Sequence, residues 1–443
     1  MALSPMMKQY LEVKSQHEDA ILFFRLGDFY EMFYDDAKIA SKELELVLTG
    51  RQCGEEERAP MCGVPYHSAE SYIGKLVDRG YKVVICEQTE DPAEAKGIVT
   101  RDVVRIVTPG TQTDQKQLPE GKNNYLASVV RNLSVTALSL VDVSTGDIRA
   151  TVLPGGDTAL INELSIYLPK EILVNQPLTN SPELEGFVKK TLSAALTVMD
   201  GVQYEKKSIW QNIKGALALE PDQVTGDESL QMSLSALCRY LIDTQKTDLS
   251  YLKAPVIYES GEFMEIDHNS RRNLELCESM RSREKRGTLL WVLDKTKTAL
   301  GARLLRKWLE LPLKNANTIV KRQSAVREFY QEYLLRETVG EVLRPVLDVE
   351  RILTRIVYGT AGGKELRAFA ATAAVLPELK RLLSEAKGEE LKRLADEIDT
   401  LEDLYEVVDK TIVEDPPFLP EMVISRDLSS GFSLPESTKG SVR

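Results

Sequence analysis

Hydrophobic and polar positions along the chain fall into two regimes. Through the first 250 residues short apolar runs alternate with helical spacings, and beyond that the helical period takes over. Ser4-Pro5 offers a cap and a proline at the first helical position, and MMKQYLEVK continues with helical spacing. Residues 21–25 are apolar and aromatic, as a strand is, and Gly27-Asp28 turns the chain. A helical segment is expected within 31–48, with Ala37, Ala40, Leu44 and Leu48 on its apolar side. A helix through 71–79 and strands at 81–86 and 103–107 complete this part. It ends at Thr108-Pro109-Gly110-Thr111, and a polar stretch to Asn124 reads as a linker.

Residues 125–250 predict a second α/β unit. Strands are expected at 126–130, 135–143 and 148–153, with Ser144-Thr145-Gly146-Asp147 as a hairpin turn. A helix through 161–167 and a short buried strand at 171–174 follow. That order suits a sheet with helices packed on it. From about 255 the pattern predicts helices alone. Leu300, Leu304, Leu305, Trp308 and Leu309 form an apolar stripe that Pro312 ends, and helices are expected over 316–340, 345–360 and 362–386. The stretch 389–415 is strongly acidic, and 419–443 shows no period and reads as a disordered tail. No internal repeat is evident.

Composition narrows the class. At 443 residues the chain predicts two to four domains, and 43% hydrophobic residues exclude disorder as a whole. No apolar run approaches the roughly 18 residues that span a bilayer, and the N-terminus lacks the pattern of a signal peptide. Five cysteines without a CxxC pair and only three histidines argue against a disulfide framework or a zinc module, so a cytoplasmic, reduced protein is expected. A net charge of −12 argues against coating nucleic acid with the whole surface. It leaves room for a local basic site, because charges act over only about 8 Å in physiological salt.

The most informative string is Gly27-Asp28-Phe29-Tyr30-Glu31-Met32-Phe33. In extended form it sends Phe29 and Glu31 to one side, Tyr30 and Met32 to the other. An exposed Phe can wedge between base steps, and a carboxylate two residues on can meet a base edge. Read alone, an aromatic strand end is more often core.

GDFYEMFYDDA (27–37), APMCGVPYHSAESYIGKLVDRGYKVVICEQTEDP (59–92) and VVRIVTPGT (103–111) resemble the mismatch-recognition domain of the bacterial MutS family of DNA mismatch-repair proteins. EIDHNSRRNLEL (265–276), LDKTKTALGARLLRKWLELPL (293–313) and DVERILTR (348–355) resemble that family's core. The resemblance runs from residue 4 to about 418. It implies a mixed α/β mismatch-recognition domain over 1–110, a linker over 111–124, a ribonuclease H-like α/β connector over 125–250 and the first part of a helical core or lever over 251–418. It assigns Phe29 to stack on a mispaired base and Glu31 to hydrogen-bond it in kinked duplex DNA. The partners it implies are double-stranded DNA with mismatches or small loops, a MutL-type repair protein and a second copy of the chain, in a cytoplasmic, nucleoid-associated setting without a membrane. The family goes on to a clamp, an ATPase and dimerising segments. The chain is therefore expected to be a truncated member without enzymatic activity or cofactor of its own, the ATP and Mg belonging to the missing half.

No G-x-x-x-x-G-K-[ST] string occurs, and residues 359–365 (GTAGGKE) have the wrong spacing for a phosphate cradle. The basic residues Arg281, Arg283, Lys285, Arg286, Lys295, Lys297, Arg303, Arg306 and Lys307 could neutralise phosphates, but solvated faces, caps and pairs with the acidic 389–415 stretch are favoured. Asp142 with Asp147, Glu163 and Glu171 could be imagined as the two-metal cluster of a ribonuclease H-type nuclease, although Asp142-Val143-Ser144-Thr145-Gly146 is equally a turn. A plain interaction module for other repair proteins is the remaining alternative.

Overall fold

In the computed structural model the described residues are 3–54, 58–90, 99–114, 118–132, 135–176, 181–199, 201, 206–217, 224, 227–259 and 261–416. The expected tail 419–443 lies outside them. By internal contacts the chain forms two units, Met1–Val320 with Leu353–Tyr358, and Lys321–Ile352 with Gly359–Arg443.

The first unit opens with α1 (Pro5–Ser15), whose Ser4 cap accepts from the Met7 amide at 3.3 Å. Then come β1 (Ala20–Leu26), β2 (Phe29–Phe33), α2 (Tyr34–Leu44), β3 (Thr49–Arg51), β4 (Ala59–Pro65), α3 (Ala69–Asp78), β5 (Lys82–Gln88) and β6 (Arg101–Val107). The strands pair in the order β3-β4-β2-β1-β5-β6, with β1 and β5 parallel and the rest antiparallel. Both faces are apolar, so both need cover. Ile21, Phe23, Tyr30, Met32, Val83 and Ile85 pack with residues of α2 and α3, while Leu22, Phe24, Phe33, Val84 and Cys86 pack with Met7 and Tyr10 of α1. The helix expected within 31–48 starts only at Tyr34, because β2 claims the preceding residues. It stops at Glu45, which takes the left-handed conformation (φ 57°), so Leu48 is not part of it.

A second sheet follows: β7 (Leu126–Arg131), β8 (Val135–Asp142), β9 (Asp147–Pro154), α4 (Asp157–Tyr167), β10 (Glu171–Val174), α5 (Pro182–Gly186), β11 (Ala195–Val198), α6 (Lys206–Ala216), α7 (Glu228–Gln245) and β12 (Val256–Ile257). Its order is β11-β10-β7-β8-β9-β12, an antiparallel meander extended by parallel strands on both sides. Alternation again divides the residues. Leu126, Val130, Ala137 and Val141 meet Leu230, Leu234, Leu237 and Leu241 of α7, and Ala127, Val129, Leu138 and Leu140 meet Leu160 and Leu164 of α4. Strand β12 corrects the expectation of helices alone from 255, as does a bridge between Phe263 and Leu313.

The helices beyond are α8 (His268–Asn273), α9 (Leu289–Leu293), α10 (Ala299–Glu310), α11 (Ala316–Gln331), α12 (Tyr333–Leu343), α13 (Val349–Val357), α14 (Gly363–Ala373), α15 (Leu376–Ser384), α16 (Glu389–Asp396) and α17 (Glu402–Thr411). Two expected helices are each split. Glu332 leaves the helical region (ψ 76°) inside 316–340, and Pro377, which has no amide hydrogen to donate, starts a new helix inside 362–386. The stripe on α10 is also divided. Leu305 and Leu309 pack on Leu276, Cys277 and Leu290, whereas Leu304 and Trp308, on the neighbouring face, are 46% and 37% exposed. In the second unit Val339 of α12, Leu382 and Leu383 of α15 and Leu391 and Ala395 of α16 share one core.

The β8–β9 turn depends on Gly146. Its φ is +71°, and an added Cβ would stand 2.7 Å from the Tyr251 carbonyl oxygen, a backbone atom that cannot swing aside. Gly146→Ala is expected to destabilise the first unit by about 2–3 kcal/mol, read as a lowered urea midpoint. The cysteines give a second check. All five are free and buried, and burial pushes the thiols of Cys62, Cys86, Cys238 and Cys277 up, to about 11 for Cys62 and about 12 for the others. A raised thiol pKa keeps the proton on sulfur at pH 8, so iodoacetamide is expected to leave these four unlabelled in the native chain and to label them all in urea. Labelling of any of the four as fast as a small thiol would contradict this packing.

Candidate nucleic-acid interface

The hairpin between β1 and β2 sets the geometry of the sequence-predicted pair. Leu26 pairs with Phe29, so Gly27 and Asp28 form a two-residue turn in which Gly27 supplies the positive φ (+60°). From there β2 alternates. Tyr30 and Met32 enter the core against α2 and α3, and Phe29, Glu31 and Phe33 face the other way. On that side α1 covers only one end of the strand. Phe33 is buried, with its ring 5.0 Å from that of Tyr10, whereas Phe29, past the covered end, is 47% exposed. The sequence expectation that Phe29 and Glu31 share one side therefore holds in the fold.

Glu31 is held from β3. Arg51 donates to its carboxylate and forms an ion pair with it, with side-chain exposures of 39% for Arg51 and 16% for Glu31. Opposite Glu31 on β4 stands Gly63, and a Cβ there would lie 3.4 Å from the Glu31 Cγ. The bare glycine leaves the acid room to lie over the sheet. Arg101 borders the same face, with its guanidinium 5.1 Å from the Phe24 ring and bonded to the Arg25 carbonyl at 2.7 Å.

Beside Phe29, Tyr66 docks its amide on the Asp28 carbonyl at 3.0 Å, and its ring, 41% exposed, carries the Arg25 guanidinium at 3.7 Å. An exposed aromatic, an acid and several arginines thus converge at one end of an acidic chain. Arg51, Tyr66 and Arg25 escaped the sequence reading because they come from three other segments, and no spacing along the chain links them to β2.

The rival carboxylates do not converge. Asp142 is fully buried and accepts from the Ser144 amide at 2.9 Å, the Ser144 hydroxyl at 2.7 Å and the Asn123 amide group at 2.7 Å. It ties the turn and the strand entry, as a turn former does. Asp147 accepts from Tyr125 and Arg149, Glu163 from Tyr258, and Glu171 from Thr108, Gly110, Thr197 and Tyr240. Burial raises the Glu163 carboxyl above its ordinary range. Among the described residues no group of three or more His, Cys, Asp or Glu side chains is placed to hold a metal ion.

Several cations of the basic segment 281–307 have protein partners. Lys285 meets Asp294, Arg306 meets Glu310 at 3.4 Å and Glu278 at 3.9 Å, and buried Arg303 donates to the Glu120 carbonyl at 3.0 Å. The acids of 389–415 were expected to take these cations. Instead Glu390 and Glu397 hold Arg393 and Glu406 holds Lys410, neighbours that cost less chain entropy to reach, and Asp409 on α17 holds Arg367 on α14. In residues 359–365, Glu365 accepts from the Gly362 amide at 2.9 Å, a helix cap on α14. The preceding element is the helix α13, so a strand–loop–helix phosphate cradle has no counterpart here. Among the described residues no helix is long and apolar enough to cross a membrane.

Comparison with known proteins follows the same division. Three family models match in chain order: MutS domain I over residues 4–116, MutS domain II over 124–253 and MutS domain III over 269–426. The DNA mismatch repair protein MutS of Acetivibrio thermocellus is 45% identical over 421 residues, covering 94% of this chain and 48% of the relative. That of Ruminiclostridium cellulolyticum is 45% identical over 417 residues, with the same coverage, and that of Lachnoclostridium phytofermentans 43% over 418, covering 94% and 45%. The chain spans about half the length of these curated relatives. With all three domain models matched in order and this identity sustained along nearly its whole length, the chain belongs to the MutS family of DNA mismatch repair proteins, over domains I to III.

Proposed function

We propose that the chain senses mispaired or unpaired bases in duplex DNA through Phe29 and Glu31. The observation that carries this reading is the half-exposed Phe29 ring at the uncovered end of β2, with Glu31 on the same side. Exposing a Phe there costs stability that burial would recover, and contact with a base would offset the cost. A mispair stacks poorly, so prising it apart and bending the duplex cost less there than at a paired step. Phe29 enters the weakened step and stacks on the base. Glu31 accepts a hydrogen bond from an edge that pairing would otherwise occupy. Arg25, Arg101 and Tyr66 flank the pair and supply backbone contacts.

The connector over 125–250 acts as a scaffold, not a nuclease, since its buried acids are spent on turns and strand ties. ATP-driven steps, a MutL-type partner and pairing with a second copy belong to the proposed whole protein. The 443-residue chain has no G-x-x-x-x-G-K-[ST] string, so calorimetry is expected to show no saturable ATP binding to it.

Phe29→Ala is expected to remove about 1–3 kcal/mol of base stacking, and the loss falls on mismatched DNA because a paired duplex resists the wedge anyway. Glu31→Ala is expected to tighten binding to paired DNA, where the carboxylate among phosphates is chiefly repulsive, while weakening or sparing the mismatch. Fluorescence anisotropy on matched and G·T duplexes at two salt concentrations measures both. An intact mismatch preference in Phe29→Ala, or equal weakening of both duplexes by Glu31→Ala, would overturn the assignment.

A further inference from the structure

We infer that Arg51 is a positioning residue for Glu31, exchanging its ion pair with that acid for a DNA phosphate as a duplex docks. The inference rests on the reading of Phe29 and Glu31 given above and adds a third residue to it.

Three features point to an exchange. The hydrogen bond described to the Glu31 carboxylate comes from Arg51. Arg51 reaches it from β3 across β4, whose Gly63 presents no Cβ to fix the Glu31 side chain in place. The Arg51 side chain is 39% exposed, and its guanidinium carries five donors, one of which bonds the Glu31 carboxylate. The pair is open to solvent on the Arg51 side, so salt and a competing anion reach the guanidinium while Glu31 stays largely covered. A phosphate matches the guanidinium fork as well as a carboxylate does, and it competes on even terms.

The consequence is a coupling between backbone contact and base reading. In the free protein Arg51 neutralises Glu31 and lays it against the sheet. When Phe29 wedges into a step, phosphates on either side of that step come within reach of the same face, and Arg51 moves onto one of them. Glu31 is then free to accept from a base. At a mispair the displaced edge offers a donor, and the exchange is completed. At a paired step no edge is offered, and a released carboxylate would sit unpaired among phosphates. Arg51 therefore delays the exposure of the Glu31 charge until a base can receive it, which sharpens discrimination.

The salt dependence of binding tests this on the 443-residue chain. Each phosphate contact contributes about 0.9 to the slope of log Kd against log salt. Arg51→Ala is expected to lower the slope on G·T DNA by about 0.9, and Arg51→Lys, which keeps the charge, to retain it. Glu31→Gln is expected to leave that slope unchanged, because Arg51 already rests on a phosphate in the parent complex. An unchanged slope in Arg51→Ala would mean that Arg51 stays on Glu31 as a brace, and would overturn the inference. So would a slope that rises by one in Glu31→Gln, which would show Arg51 reaching phosphate only when the acid is gone. Phe29→Ala separates the two levels. If it abolishes mismatch preference, the slopes judge Arg51 alone. If it does not, the reading beneath fails whatever the slopes show.

Discussion

The register of one hairpin governs the site. Because side chains alternate along a strand, pairing Leu26 with Phe29 decides at once which residues of β2 are core and which are free. Tyr30 and Met32 fix that choice by filling the space under α2 and α3. A slip of one residue would bury Phe29 and Glu31 and expose Tyr30 and Met32, so the core that fixes the register also holds Phe29 and Glu31 on the other face. Gly27, in the conformation that a two-residue turn demands, is the local device that sets this register.

Cover is the second constraint. A six-stranded sheet with two apolar faces needs a layer on each. Here α1 supplies one of those layers with only 11 residues, roughly 16 Å of helix. It reaches Phe24 and Phe33 and runs out before Phe29. The exposed ring is thus the remainder left by a short helix on a longer sheet. The second sheet is built the other way, with α4 on one face, α6 and α7 on the other, and with buried Asp142 and Glu171 each held by several donors. Satisfaction of that kind ties strands and turns together, and buried polar groups in a core require it.

The contrast explains what was legible in the sequence. Strands 171–174 and 126–130 and the Ser4 cap are local signals, and the fold carries them as read; the turn expected at 144–147 lies one residue earlier, at 143–146, because Asp147 already pairs with Asp142. Phe29 and Glu31 were legible because they lie two apart on one strand and because their string resembles a family motif. Arg51 was not, since its distance from Glu31 in the chain says nothing until β3 and β4 are paired. The breaks at Glu332 and Pro377 and the late start of α2 were missed for a related reason: an apolar period survives a short interruption, whereas a backbone does not. The stripe on α10 divides because 304 and 305 differ by about 100° around a helix, enough to send Leu305 inward and leave Leu304 in solvent.

Charge completes the account. A chain with a net charge of −12 repels DNA as a whole, yet that repulsion is screened within about 8 Å in physiological salt. Near the hairpin of the first sheet, Arg25 lies on the Tyr66 ring and pairs with Glu87, Arg51 pairs with Glu31, and Arg101 lies over the Phe24 ring. One of these is tied to Glu31 while the protein is free. On the proposed reading, such a surface gains little from lying along a paired duplex and gains most where a step can be opened, because only there do the wedge, the phosphate contact and the base contact form together. A uniformly basic face would bind more tightly and read less, since its affinity would no longer depend on the state of the base pair.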